Sequence, residues 1–369
     1  MKKIAILSFI NTKNYGGLLQ AFALQFFLKS NGYDAFHVDY KAPSVTTGGA
    51  LKRVIRNAYR RISFLFFDKK RQINEAKFRK KIALTHFCGT KHDLSGIECD
   101  YFIVGSDQVW NPFLNNFDDS YLLSFETAGI KLAFSASIGL SQKCPNSWIK
   151  KFKDNLPKFA LVSVREKTAK DFLSKICDVN IKESLDPTFL LTKNEWLEAT
   201  RDCDSSIIPV KQFALCYVMP GDSKLVRRMI KFARQIAKKE CLQLYVIGLR
   251  DSERLKHNKH FIFGAGPSEF VNLIDKSSYV ITNSFHGTVF STIFNKRFFS
   301  FVSENGSSSA LSERIMDLLH EFDLEDRLIT EASDYRNKLS NATTAIIPFD
   351  KMEQKIKETE QTLLEGLNQ

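Results

Sequence analysis

The residues best suited to acid–base chemistry lie in one segment, TNSFHGT at residues 282–288, which follows an apolar stretch. This order of residues predicts a strand that ends, presents His286 and passes into a helix. Backbone N–H groups and the helix dipole favour anions at such a junction, and an imidazole titrates near neutral pH. The segment therefore predicts a catalytic His286 that acts on a negatively charged substrate, with Asn283, Ser284, Gly287 and Thr288 around it. A buried structural histidine is the alternative interpretation.

A second polar segment, GSDQVWNP at residues 105–112, follows the apolar residues 101–104. Asp107 could act as a base or bind substrate hydroxyls, with Ser106 and Gln108 beside it, although Asp and Asn are also common turn residues. Ligands bind beyond the carboxyl ends of the strands in open α/β sheets. The two strand ends therefore predict one shared cleft.

Two more strand ends carry polar groups or glycine. The NYGG segment at residues 14–17, with Gln20 one turn later, either lets a ligand approach the backbone or simply starts a helix. Its glycine order differs from G-x-G-x-x-G and no acidic residue occupies the dinucleotide position, which argues against a nicotinamide cofactor. Arg165 could bind a carboxylate or phosphate in a bidentate manner, or pair with Glu166 or Asp186.

Apolar runs alternate with helix-like stretches along the chain, which predicts an α/β fold with parallel sheets. The predicted strands are 4–10, 35–40, 101–104, 132–138, 161–164, 213–219, 242–247, 279–282 and 298–302. The predicted helices are 18–29, 146–155, 168–175, 223–239, 268–276, 288–294, 309–321 and 350–367.

A chain of 369 residues exceeds the usual size of a single core, so two domains are expected. The polar stretch 199–210 suggests the junction, with an N-terminal domain at 1–200 that contains residues 51–81 and a C-terminal domain at 210–345. A last helix at 350–369 could pack against either domain. The composition, 44% hydrophobic and 25% charged, is that of an ordinary folded protein.

Most of the net charge of +12 falls in residues 51–81, where twelve Lys and Arg residues face two acidic residues, an excess of +10. The apolar run ISFLFF at 62–67 is flanked by these cations, a composition typical of an interfacial membrane-binding element. A solvated helix is an alternative, and no recognised motif supports nucleic-acid binding. We therefore expect contact with an anionic membrane surface and no nucleic-acid partner.

The seven cysteines are scattered and show no ligand spacing, which predicts a reducing compartment and no metal site. No stretch approaches the roughly 18 apolar residues of a membrane span. The N-terminal residues 1–10 lack a following signal-peptide cleavage site. The expected location is the cytoplasm, peripherally on the inner face of the membrane.

Six segments together resemble the polysaccharide pyruvyl transferase family, in order from about residue 3 to about residue 330. They are NYGGLLQ at 14–20, DYFIVGSDQVWNP at 100–112, SASIG at 135–139, SVRE at 163–166, DPT at 186–188 and TNSFHGT at 282–288. The resemblance implies two Rossmann-like domains in a GT-B-like arrangement, with the active site in the interdomain cleft. It also implies transfer of the enolpyruvyl group of phosphoenolpyruvate to sugar hydroxyls, which gives a pyruvate ketal on a bacterial surface glycan.

The resemblance also assigns roles. The family's catalytic histidine corresponds to His286, and an anion-binding arginine corresponds to Arg165. Members of the family often carry an arginine where this chain has Ser284, so the missing cation is expected from Lys296, Arg297 or Arg314, unless the donor differs. In the expected mechanism, phosphoenolpyruvate contacts Arg165, Arg314 and the helix start at Gly287 and Thr288.

Asp107 is expected to orient or deprotonate the acceptor, a hexose such as galactose in a lipid-linked oligosaccharide. The expected acceptor-binding residues are Asn14, Tyr15, Gly16, Gly17, Gln20, Ser106 and Gln108. No metal or organic cofactor is required. A nucleotide-sugar-dependent GT-B glycosyltransferase of surface glycan synthesis and a non-catalytic glycan-binding protein are the alternatives, and the sequence favours no oligomeric state.

Overall fold

The computed structural model describes residues 1–12, 14–41, 69–139, 144–220, 222–248, 260–303, 309–333, 338 and 347–368. Most of the basic segment, residues 51–68, lies outside the described residues. The strands are β1 Lys3–Leu7, β2 Asp34–Tyr40, β3 Leu84–Cys88, β4 Tyr101–Val104, β5 Ile130–Ala136, β6 Leu161–Val164, β7 Ile181–Glu183, β8 Phe213–Val218, β9 Gln243–Gly248, β10 Tyr279–Thr282, β11 Arg297–Phe301 and β12 Leu328–Ile329.

The helices alternate with these strands, as the sequence predicts. They are α1 Tyr15–Ser30, α2 Lys69–Arg79, α3 Lys91–Ser95, α4 Asn146–Asn155, α5 Lys167–Ile176, α6 Lys193–Ala199, α7 Ser223–Lys239, α8 Pro267–Lys276, α9 Phe285–Ile293, α10 Ser309–Glu321 and α11 Phe349–Gly366. Within the described ranges, no helix has both the length and the apolar character needed to cross a membrane.

The chain divides into two compact units, each built from more than one segment. The first unit contains Met1–Val45, Lys80–Leu191 and Phe349–Gln369, and the second contains Thr46–Arg79 and Thr192–Pro348. The chain thus changes unit before α6 rather than within residues 199–210. Residues 69–79 also belong to the second unit rather than to an N-terminal domain, because Asn74 Nδ2 of α2 donates to Gly264 O at 2.8 Å.

The first unit is built on a seven-stranded parallel sheet in the order β3-β2-β1-β4-β5-β6-β7. β1 pairs with β4 in the register Ile4 with Tyr101 and Leu7 with Val104. Every residue of β4 and β6 is buried, as expected for parallel strands that are covered on both faces. The carboxyl ends of all these strands lie along one edge of the sheet, and their loops carry the candidate residues.

Helix α11 belongs to this first unit, although it follows the whole of the second unit in sequence. Tyr101 Oη donates to Leu367 O at 2.5 Å, and Leu185 N donates to Thr359 Oγ1 at 3.0 Å. Leu363 is fully buried. The C-terminal helix therefore completes the packing of β4 and of the turn after β7.

The second unit contains a five-stranded parallel sheet in the order β12-β11-β10-β8-β9. β10 pairs with β8 and with β11, so Thr282 lies beside Tyr217 and Ser300. Helix α7 covers this sheet because its apolar residues recur at helical spacing. The buried residues of this stripe are Leu225, Met229, Phe232, Ala233, Ile236 and Ala237.

Candidate active site

The first unit brings together charged side chains from three neighbouring loops. Asp107 follows β4, Arg165 and Glu166 follow β6, and Asp186 follows β7. Because β4, β5, β6 and β7 are adjacent and parallel, their carboxyl ends converge. Asp107 and Arg165, which the sequence singled out separately, therefore belong to one group with two further carboxylates.

Arg165 is enclosed by these three carboxylates. Its Nη1 donates to Asp186 Oδ2 at 2.6 Å, its Nε lies 3.8 Å from Glu166 Oε2, and its Nη2 lies 3.9 Å from Asp107 Oδ1. Burial lowers the pKa of Arg165, but the attraction of Asp186, Glu166 and Asp107 outweighs it and raises this pKa above its ordinary value. The structure thus gives Arg165 ion-pair partners on three sides, and its binding of a substrate anion stays a prediction.

The loops themselves hold the carboxylates of this group in place. Asp186 Oδ1 accepts from Thr188 N at 3.0 Å and from Thr188 Oγ1 at 2.7 Å, and Asp186 Oδ2 accepts from Ser106 Oγ at 3.3 Å. Glu166 Oε1 accepts from Ser137 Oγ at 2.7 Å and from the backbone N–H groups of residues 138 and 139. The sequence predicts Glu166 and Asp186 as partners of Arg165 and includes them in segments that resemble the family, but it assigns neither a role in the site. Their positions at strand ends are the signal that could have placed them in the site.

The predicted acceptor residues of α1 are engaged in local structure. Asn14 Oδ1 caps the helix by accepting from Gly16 N at 3.2 Å. Gln20 is fully buried; its Nε2 donates to Gly17 O at 2.9 Å and its Oε1 accepts from Ser106 N at 3.3 Å. A Cβ at Gly17 would lie 2.5 Å from Thr12 Cγ2, so this glycine makes room for Thr12. Gln20 thus joins α1 to the Ser106–Asp107 loop.

The second unit holds the other predicted group, at the carboxyl end of β10. Ser284 caps α9 by accepting from Gly287 N at 3.3 Å, so the helix begins at Phe285 and not at residue 288 as predicted. The side chain of Asn283 forms two hydrogen bonds with the backbone of Met219, the residue after β8. Its Oδ1 accepts from Met219 N at 2.7 Å, and its Nδ2 donates to Met219 O at 3.1 Å. These bonds fix the backbone that leads into His286.

His286 lies in the first turn of α9 and is 3% exposed. Its ring meets the Phe285 ring edge-to-face at 5.2 Å. Thr288 Oγ1 donates to Ser284 O at 3.0 Å and contacts Ser300 Oγ at 2.7 Å. A Cβ at Gly287 would lie 2.5 Å from Thr282 Oγ1, so only glycine lets the helix start this close to the strand. His286 thus occupies the positive end of a firmly held helix.

The structure separates the three cations that were considered to replace the arginine expected at Ser284. Arg297 begins β11 and pairs with Glu240 at 3.2 Å, at the register position of Tyr279, which begins β10. Lys296 is the residue before Arg297, and its Nζ donates to Asp275 O. Both therefore lie at the amino end of the strands, about 10 Å along the sheet from residue 282. In contrast, Arg314 of α10 is buried beside the start of α9, with its Cζ atom 5.4 Å from the centroid of the Phe285 ring.

The candidates thus fall into two groups. Asp107 and Arg165 belong to the first unit, and His286 and Arg314 belong to the second. The interdomain cleft stays a prediction from the sequence. Among the described residues, no group of three or more His, Cys, Asp or Glu residues is arranged to hold a metal ion.

The fold resembles that of known nucleotide-sugar enzymes. The UDP-GlcNAc 2-epimerase of Neisseria meningitidis bound to UDP-GlcNAc has a TM-score of 0.52 at 11% identity, covering 100% of this chain and 99% of that chain. The Methanocaldococcus jannaschii UDP-GlcNAc 2-epimerase in complex with UDP-GlcNAc and UDP gives 0.52 at 12% identity, covering 97% and 99%. The chain therefore has the GT-B-like class of fold, with two Rossmann-like domains.

The family is given by sequence. A search of curated proteins finds no match. The sequence model of the polysaccharide pyruvyl transferase family matches residues 14–305, which include α1, the charged group of the first unit and the start of α9. The chain belongs to the polysaccharide pyruvyl transferase family, and this membership supports a transferase of polysaccharide biosynthesis.

Proposed function

We propose that this protein transfers the enolpyruvyl group of phosphoenolpyruvate to a hexose of a lipid-linked bacterial surface polysaccharide repeat unit. The observation that carries the proposal is the family match, which includes the charged group of the first unit and the start of α9 with His286. The reaction joins two hydroxyls of one sugar to C2 of the donor and releases inorganic phosphate. Phosphoenolpyruvate is itself activated, so neither a metal nor an organic cofactor is part of the proposal.

The proposed donor site lies in the second unit. His286 gives its proton to the methylene carbon, which becomes the methyl group of the ketal, or assists the departure of phosphate. The start of α9 and the guanidinium of Arg314 attract the carboxylate and phosphate, since helix N-termini and arginine both favour anions. Arg314 supplies the positive charge that members of the family often carry as an arginine at the position of Ser284.

The proposed acceptor site lies in the first unit, around Asp107. One sugar hydroxyl adds to C2 as the methylene group is protonated, phosphate then leaves, and the second hydroxyl captures the resulting oxocarbenium-like centre. Each hydroxyl loses its proton: Asp107 receives one and passes it to the departing phosphate, and the other replaces the proton that His286 gave to the methylene carbon. Arg165 is assigned a positioning role here, because its guanidinium lies among Asp107, Glu166 and Asp186.

The proposal is tested by phosphate release from phosphoenolpyruvate. The acceptor is an oligosaccharide prepared from the host bacterium's own surface polysaccharide by mild-acid removal of pyruvate. We expect His286→Gln to lower turnover by about 10²- to 10⁴-fold, as for loss of a general acid. The matched control is His92→Gln, which alters an exposed histidine of α3 and should leave turnover unchanged. Equal turnover of His286→Gln and wild type would remove His286 from the mechanism.

The same assay separates the competing function. UDP-hexose is offered in place of phosphoenolpyruvate, and nucleotide release is measured. Mass spectrometry of the product identifies the mass added by one pyruvate ketal. Nucleotide release without phosphate release would show a glycosyltransferase and would overturn the proposal.

Membrane attachment through residues 51–81 is part of the proposal, but the described cations of this segment are partly engaged within the second unit. Lys70 Nζ lies 2.5 Å from Asp204 Oδ2, and Lys77 Nζ lies 3.6 Å from Asp202 Oδ2. Attraction to lipid must therefore come mainly from the other cations of the segment. Sedimentation with anionic and with neutral vesicles tests this, and equal binding to both at low salt would exclude electrostatic attachment.

A further inference from the structure

Beyond Asp107, the loop at residues 107–118 presents three apolar side chains to solvent. Phe113 is 53% exposed, Leu114 is 54% exposed and Phe117 is 42% exposed. These three residues are called the aromatic platform below. Neighbouring exposed apolar side chains on a folded surface commonly mark a binding site.

The backbone beneath the platform is closely hydrogen-bonded. Leu114 N and Asn115 N both donate to Asn111 O at 3.1 Å, and Phe117 N donates to Pro112 O at 2.9 Å. Asn115 Nδ2 also donates to Val109 O at 2.8 Å. A ligand that binds here therefore meets a surface that is already ordered, which lowers the entropic cost of binding.

The rings of the platform are anchored to the core. Phe113 and Phe117 meet edge-to-face with centroids 5.7 Å apart, and Phe117 meets Trp148 in the same way at 6.1 Å. Trp148 is fully buried and its Nε1 donates to Trp110 O at 3.1 Å. The exposed rings are thus held by the interior rather than loosely attached to a surface loop.

The platform is directly connected to the proposed acceptor residues. The side-chain amide of Asn111 bridges the two: its Nδ2 donates to Gln108 Oε1 at 3.1 Å and its Oδ1 accepts from Phe113 N at 3.1 Å. Gln108 is the residue after Asp107. One side chain therefore sets the position of the platform relative to the loop that we assign to the acceptor.

The charges around the platform indicate a neutral ligand. Lys151 donates to Phe117 O at 3.2 Å, but it also pairs with Asp119 at 3.3 Å, and Lys91 pairs with the same carboxylate. Asp118 accepts from Tyr40 Oη at 2.7 Å. Lys151, which bonds to this loop, thus already pairs with a carboxylate of the protein, and this disfavours an anionic lipid surface as the occupant.

We propose that the aromatic platform is a second acceptor subsite, which binds a neutral sugar ring of the glycan next to the hexose that is modified. The C–H groups of a pyranose form an apolar face that packs on aromatic rings, while its hydroxyls stay hydrated. The inference rests on the proposed function, because it takes Asp107 to mark the acceptor site. It makes the protein selective for a glycan chain over a free monosaccharide.

The test is calorimetric binding of the pyruvate-free oligosaccharide and of its component monosaccharides, without phosphoenolpyruvate. Wild-type protein should bind the oligosaccharide more tightly than any of its component monosaccharides. Phe113→Ala should weaken oligosaccharide binding about tenfold, a change of about 1.4 kcal/mol, and leave monosaccharide binding unchanged. Phe113→Trp keeps an aromatic ring and should bind like wild type. Phe87→Ala is the matched control, since Phe87 is a 61% exposed phenylalanine on β3 of the same unit.

Turnover gives a second measurement. Phe113→Ala should raise KM for the oligosaccharide about tenfold at unchanged kcat, because the lost contact is the same in the ground state and the transition state. Oligosaccharide affinity that is unaffected by Phe113→Ala would overturn the inference, as would failure of the wild type to bind it. Loss of vesicle binding alone in Phe113→Ala would show a membrane contact instead. Glycan binding through Phe113 without phosphate release would leave the subsite standing and refute the proposed transfer.

Discussion

Replacing Arg165 by methionine separates its two possible roles, structural ion pairing and donor binding. The change leaves the carboxylates of Asp186, Glu166 and Asp107 together without their shared cation. Removing one partner of a buried ion pair costs about 3–5 kcal/mol. The carboxylate of Asp186 is fully buried and lies 2.6 Å from the guanidinium, so the pair that it forms with Arg165 is a buried ion pair. We therefore expect Arg165→Met to lower the unfolding free energy of the first unit by about 4 kcal/mol.

The assay is urea unfolding followed by tryptophan fluorescence in a Trp196→Phe background. Trp110 and Trp148 then remain, both in the first unit, so the signal reports that unit alone. Lys167→Met is the control, because Lys167 pairs with Asp171 in an exposed position of the same unit and its loss should change stability by less than about 1 kcal/mol.

An Arg165→Met variant within about 1 kcal/mol of wild type would refute the structural role. Unchanged stability with a raised KM for phosphoenolpyruvate would instead identify Arg165 as a donor-binding residue.

Three further predictions concern single positions. Gly287→Ala should destabilise the second unit by about 1–3 kcal/mol in urea titration, because the new Cβ would lie 2.5 Å from Thr282 Oγ1. In a Thr282→Ala background this added cost should largely disappear, and an equal cost in both backgrounds would disprove the clash. Asn283→Asp should cost about 2 kcal/mol or more by the same method, since a carboxylate would face Met219 O instead of donating to it; wild-type stability would show that this bond matters little. Burial lowers the pKa of His37 to about 4, so the free energy of unfolding should fall by up to about 3 kcal/mol as pH drops from 6.5 towards 4. His37→Gln should flatten this pH dependence, and an unchanged slope would show that His37 is not its source.

The fold was predictable where strands are buried on both faces. β4 and β10 occupy the predicted residues 101–104 and 279–282, because each is an apolar run bounded by polar residues. β3 was missed because it forms an edge of the sheet, exposes Phe87 and includes polar residues. β12 has only two residues, too few for a periodic pattern.

The candidate site was predictable as a set of strand ends but not as a set of contacts. His286 lies at the start of a helix after a strand, as the sequence indicates. The sequence could not decide between ion pairing and anion binding for Arg165, because its partners come from three loops that meet only when the sheet forms. Nor could it choose among Lys296, Arg297 and Arg314, since that choice depends on which edge of the sheet each residue occupies.

The placement of α11 has a consequence for synthesis of the protein. Residues 349–367 leave the ribosome after all of 192–348, yet Tyr101 and Leu185 of the first unit bond to Leu367 and Thr359 of this late segment. The unit that is begun first is therefore completed last. Until then Tyr101 and Leu185 lack these hydrogen-bond partners and the surface that α11 covers stays exposed, so the nascent chain is open to aggregation while the second unit is being made.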